Sequence, residues 1–149
     1  MLKKTFLLTC ITITSVFAFG QNIDSLKLND NEIPPAYSKP NELICITPHA
    51  SSVYDQADLY STFLGKVTRK EYQSFSKKGD SGSILYFEFE KEFKGQGFLN
   101  GLLWGDETKP TKGEPDDYYT KGNILIIWSL NLNSDIKKIS KAKVMALLK

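Results

Sequence analysis

The chain has 149 residues, 41% of them apolar and 12% aromatic. That suffices for one domain of ordinary size with a packed core, and it excludes wholesale disorder. With 19 basic residues against 17 acidic ones, net charge gives no reason to expect a nucleic-acid partner.

The first twenty residues read as a secretory signal peptide. Lys3 and Lys4 form a positive start, Thr5 to Phe19 is mostly apolar, and Ala18-Phe19-Gly20 supplies small residues for cleavage before Gln21. The apolar run is short for a membrane span and carries several threonines. Leu7-Leu8-Thr9-Cys10 is a poor lipid-attachment box, because too little apolar sequence precedes Cys10. Loss of Lys3 and Lys4 leaves 17 basic against 17 acidic residues. Cys45 is then the single thiol, so no internal disulfide forms, and its place in the apolar run LICIT suits a small buried hydrophobe.

Residues 21–42 are polar and contain Pro34, Pro35 and Pro40, which predicts an extended lead-in. Leu43 to Thr47 is a first strand candidate, and Glu71 to Phe75 a second. KKGDSGS, Lys77 to Ser83, then makes a polar turn. Ile84 to Glu90 is the best strand, with Leu85, Phe87 and Phe89 on one face and Ile84, Tyr86 and Glu88 on the other. Gly97 to Trp104 is predicted as a further strand, kinked at Gly101. Asp106 to Asp117 reads as a loop and Asn123 to Leu132 as an apolar strand. Ser134-Asp135 caps a helix over Ile136 to Leu148, with Lys137, Lys138 and Lys141 on one side and Ile139, Ala142 and Ala146 on another.

Residues 43–105 resemble a bacterial Src-homology-3-like (SH3b) domain. The resemblance lies in Val53-Tyr54-Asp55, followed by Ser61 and by Phe63-Leu64-Gly65-Lys66-Val67, in the strand Ile84 to Phe89, and in the step Gly97-Phe98-Leu99. Two positions depart from that pattern: Ala57 stands where a proline is usual, and Phe98 where a tryptophan is frequent. The resemblance implies a mostly β chain, a small SH3-like β-barrel with an extra C-terminal strand and a terminal α-helix. Residues 106–149 then supply a loop, a strand and a helix packed on the barrel.

Gly79-Asp80-Ser81-Gly82 has the form of a serine-protease nucleophile loop. That chemistry needs a histidine base and a buried aspartate beside the serine. The one histidine, His49, lies about thirty residues upstream, and the chain is too short for the two barrels that carry such a loop. A lone histidine has no partners with which to hold a metal. The acids Asp106, Glu107, Glu114, Asp116 and Asp117 lack the spacing of a calcium loop and read as solvated. The C-terminal lysines read as a solvated face as well.

Tyr54, Tyr60, Tyr86 and Trp104 sit near turns and are the candidate ligand-binding residues, lining a shallow groove on the barrel. The expectation is an exported, non-catalytic binding module, periplasmic or extracellular, with no catalytic residue, metal or cofactor. The SH3b resemblance implies that its partner is cell-wall peptide or an envelope protein, and no nucleic acid and no transmembrane segment after signal removal are expected. The alternative is a periplasmic inhibitor or immunity-type protein that blocks a partner enzyme.

Overall fold

The computed structural model describes residues 22–149, so the expected signal peptide lies outside the described residues. At its centre is a four-stranded antiparallel sheet of β1 (Val67–Lys77), β2 (Asp80–Phe89), β3 (Asp117–Lys121) and β4 (Ile124–Ser129), in the order β1-β2-β4-β3. Two-residue turns, Lys78-Gly79 and Gly122-Asn123, join β1 to β2 and β3 to β4. The protease-like tetrapeptide is therefore mostly strand: only Gly79 is in the turn, and Asp80, Ser81 and Gly82 begin β2.

Helices cover both faces of this sheet. On one face Ile84, Tyr86, Ile124, Ile126 and Trp128 pack against α1 (Ile23–Leu26) and α5 (Asp135–Leu147). On the other, Leu85, Phe87, Phe89, Leu125 and Ile127 pack against α2 (Pro48–Asp55), α3 (Ser61–Leu64) and α4 (Gln96–Trp104). A strand covered on both faces has no solvent side to keep polar, which explains the unbroken apolar runs ILYF and ILIIW. The face assignment expected for residues 84–89 holds in the sheet. Among the described residues, no helix is long and apolar enough to cross a membrane.

Two expected strands are not strands. Gly97–Trp104 lies in α4, because Leu99 and Leu103, four residues apart, are both buried against the sheet. An eight-residue apolar run fits a buried helix as well as a strand, and here the helical spacing wins. Residues 43–47 run across the sheet instead of along it. The N–H groups of Ile44 and Ile46 donate to the hydroxyls of Ser83 (3.0 Å) and Ser129 (2.9 Å), so side chains do the work of a ladder. The segment ends at Thr47, whose hydroxyl caps α2, with Pro48 in its first turn. β1 and β3 each have a single strand neighbour, and neither 43–47 nor 97–104 joins the sheet.

The lead-in is also part of the fold. Ile23, Leu26 and Leu28 are buried, and Gln73 brackets Leu28 through both its N–H (2.8 Å) and its C=O (2.9 Å). Arg69 of β1 grips Asp24 at 2.6 Å and Glu71 at 2.8 Å, while Lys27 reaches Glu71 at 2.8 Å. On α5 the buried stripe is Ile136, Ser140 and Val144, continued by Leu148 beyond the helix, not the expected Ile139, Ala142 and Ala146. Its lysines are only partly a solvated face. Lys137 is buried with Asp117 at 3.2 Å, Lys141 meets the same carboxylate at 2.9 Å, and Lys143 holds Glu32 at 2.9 Å.

Candidate functional site

The short helix α3 ends at Leu64, and α4 starts after Gly95. A Cβ at Gly95 would lie 2.9 Å from the Phe63 carbonyl oxygen and 2.9 Å from Leu64 Cδ2. The absent side chain lets the two helices close on each other. That approach brings the Phe63 ring flat onto Phe98, with centroids 4.5 Å apart and planes 6° from parallel. Tyr60 borders the pair at 5.9 Å from Phe98, and its hydroxyl pairs with Ser52 Oγ at 2.7 Å. Leu59, in the turn before α3, is 75% exposed and Phe63 57% exposed.

Tyr60, Phe63 and Phe98 thus form an aromatic group held in place by stacking and by one hydroxyl pair, with Leu59 exposed next to Tyr60 in the turn before α3. Isolated exposed hydrophobes are ordinary, but a contiguous group of large ones on ordered elements is a hallmark of a docking surface.

The four expected ligand-binding residues do not come together. Tyr86 is fully enclosed on the α1–α5 face, with its hydroxyl on Gln73 Oε1 at 2.8 Å. The other three lie on the opposite face. Tyr54 packs edge-on to Tyr72 (5.4 Å) and Phe87 (5.9 Å), under the Lys70 ammonium at 4.6 Å. Trp104 stacks on Tyr118 at 5.4 Å and donates its indole N–H to the Asp116 carbonyl at 2.7 Å. Of the four, only Tyr60 borders the exposed patch. Leu59 and Phe63 lie near Tyr60 in a polar, turn-rich stretch, where no local pattern marks them as exposed.

A second cluster lies where the loop before β3 meets the start of α2. Asp116 is fully buried. Its Oδ2 accepts a hydrogen bond from the Thr47 hydroxyl, and its Oδ1 has no hydrogen-bond partner among the described residues. Burial pushes its pKa above the ordinary carboxylate value. Asp116 and Asp117 are therefore anchors of the loop, not solvated acids.

His49 Nε2 lies 3.7 Å from Glu114. The Cys45 thiol is pushed up to about 12 by burial, which disfavours the nucleophilic thiolate. Ser81 Oγ is engaged within its own hairpin, by Ser76 Oγ at 2.8 Å and the Lys77 carbonyl at 3.2 Å. Among the described residues, no group of three or more His, Cys, Asp or Glu side chains is placed to hold a metal ion.

Set beside known proteins, the chain matches no family model, no curated protein and no solved structure.

Proposed function

We propose that this chain is an exported, non-catalytic binding module that docks an envelope protein through Leu59, Tyr60, Phe63 and Phe98. The observation that carries the reading is the exposure of Leu59 and Phe63 on a rigid support, with Phe63 stacked on Phe98. Export rests on the leader-like residues 1–20. The non-catalytic part is supported by the chemistry of the three candidate reactive groups. Ser81 Oγ is tied to Ser76 and the Lys77 carbonyl, Cys45 is held as a thiol, and the His49 imidazole lies 3.7 Å from Glu114. The SH3b resemblance of residues 43–105 remains a reading of their motifs, and the binding proposal does not depend on a barrel. Exposed aromatic and aliphatic side chains suit a protein partner better than a charged polymer.

The test is in-cell photocrosslinking from position 63. Phe63 is replaced by a benzophenone-bearing phenylalanine analogue in the full-length chain, with the same analogue at exposed Lys138 as the control. The proposal expects one dominant protein adduct from position 63, lost when Phe98→Asp is added and absent from position 138. Adducts to wall peptide instead, or equal adducts from both positions, overturn it. Ser81→Ala and His49→Ala leave the adduct unchanged.

A further inference from the structure

Two contacts tie residues 111–116 to the start of α2, and both involve ionisable groups. The inner one is buried. Asp116 is fully enclosed, and its Oδ2 accepts a hydrogen bond from the hydroxyl of Thr47, the residue that caps α2. The outer one lies at the surface, where His49 Nε2 is 3.7 Å from Glu114, an ion pair only while the imidazole is protonated. The segment between them is braced on itself. Thr111 N–H donates to the Glu114 carbonyl at 3.0 Å, and Glu114 N–H donates to the Thr111 hydroxyl at 3.1 Å. The Asp116 carbonyl in turn accepts the Trp104 indole N–H at 2.7 Å, so the same residue holds the end of α4.

We infer that residues 111–116 are a clasp on α2 that is shut in acid and opens as pH rises, with Asp116 as the inner latch and His49–Glu114 as the outer one. The two latches respond in the same direction. Once the imidazole is neutral, the outer pair is gone. The inner latch then has to carry a charge in place, although burial favours its neutral form and Oδ1 has no hydrogen-bond partner among the described residues. The groups that face Asp116 set the balance. From α2, His49 favours the charge, and from the same loop Glu114 opposes it. Thr47 and, from β4, Ser129 favour it, Ser129 without closing a hydrogen bond to Oδ1, and burial outweighs them all. Cys45, in the segment before α2, is held as a neutral thiol, and α4 contributes only the neutral indole of Trp104. Lys137 and Lys141 are engaged by the neighbouring Asp117. As pH rises His49 loses its favourable charge, which leaves Glu114 unopposed.

Opening exchanges an enclosed neutral acid for a hydrated carboxylate and releases one proton. The opening constant therefore rises with pH, by up to about tenfold per pH unit, from the ordinary value of 3.8 to the higher value of the shut form. In the open form Asp116 and the indole edge of Trp104 face solvent beside the start of α2, so the protein presents one surface there in acid and another near neutrality. None of these contacts involves Leu59, Tyr60, Phe63 or Phe98, so the clasp stands or falls apart from the docking surface.

The test is hydrogen exchange of the two indole N–H groups of the purified protein, followed by NMR and expressed as protection relative to free indole at the same pH. Trp128, whose indole N–H is buried on Ser140 Oγ at 2.8 Å, is the internal reference for opening of the whole fold. A clasp makes Trp104 less protected than Trp128 throughout, because local opening is easier than global unfolding. Trp104 protection falls by about tenfold or more between about pH 5 and about pH 7.5. Asp116→Asn, which cannot ionise, flattens that dependence. His49→Gln, at a half-exposed position, removes the outer pair and the charge that favours ionised Asp116. It lowers Trp104 protection about twofold at about pH 5 and matches the parent at about pH 7.5. Equal protection of the two indoles, Trp104 protection that is flat or rises with pH, or an unaltered pH dependence in Asp116→Asn overturns the inference. If Asp116→Asn does not fold, His49→Gln decides alone, and parent-like protection at the acid end overturns the clasp.

Discussion

Gly82→Ala tests the packing of the strand that begins with the protease-like tetrapeptide. A Cβ at Gly82 would lie 2.1 Å from the Ser129 carbonyl oxygen and 2.8 Å from Leu130 Cδ2. Carbon and oxygen sit comfortably at about 3.3 Å or more, so relief demands a shift of about 1 Å between β2 and the end of β4. The obstructing atom is backbone in a sheet buried on both faces, so it cannot swing aside as a side chain would. Overpacking of this kind costs about 3 kcal/mol, the upper part of the usual range. Replacing glycine within a strand returns about 0.5 kcal/mol through the unfolded chain, leaving a net loss of about 2.5 kcal/mol.

Urea denaturation reads this directly. With a slope of about 1.5 kcal/mol per M, the midpoint falls by about 1.7 M with the slope unchanged. Ser81→Ala is the matched control. It removes a half-buried hydroxyl bonded to Ser76 and the Lys77 carbonyl, and costs about 0.5–1 kcal/mol. A Gly82→Ala midpoint within about 0.3 M of the parent refutes the argument that Gly82 is glycine for packing. A catalytic role for the tetrapeptide would instead predict a well-folded Ser81→Ala protein lacking its function.

Two further outcomes follow from buried polar groups. Asp116 titrates at 3.8 when unfolded and higher when folded, so the native state holds its proton to higher pH. Its contribution to stability is complete below 3.8 and is lost as pH rises through the folded value. The stability of Asp116→Asn minus that of the parent, measured by urea titration, therefore increases from about pH 4 to about pH 7. A flat or falling difference contradicts a raised folded pKa. Ser140→Ala leaves the buried Trp128 indole N–H without its 2.8 Å acceptor and costs about 1–3 kcal/mol by the same titration. Ser140→Thr, which keeps the hydroxyl, separates loss of the hydrogen bond from loss of volume.

Much of the sheet was legible in the residues alone. Ile84 to Phe89 and Ile124 to Ser129 are long, apolar and β-branched or aromatic, and no other local state suits them as well. The turn at Gly79 and the cap at Ser134 have local chemistry that needs no distant partner. By contrast, β3, DYYTK, has strand formers in Tyr118, Tyr119 and Thr120 but is short and follows a long loop, and its bounds are set by pairing with β4. The segment 43–47 looks like a strand, yet its N–H groups are satisfied by serines about 40 and 80 residues away.

The same division holds for the site. The supply of aromatics, the single histidine and the short chain are properties of the sequence: a lone histidine lacks partners for a metal, and the length falls short of the two barrels that carry a protease loop. Which aromatics face solvent was settled by the fold. Tyr86 and Phe63 are similar in kind, but a two-sided sheet encloses the first, and the close approach of α3 to α4 at Gly95 presents the second. Side-chain periodicity is a local property that sequence carries. Which face receives a helix, and which edge is left unpaired, depends on contacts between segments far apart in the chain, and those exist only once the chain has folded.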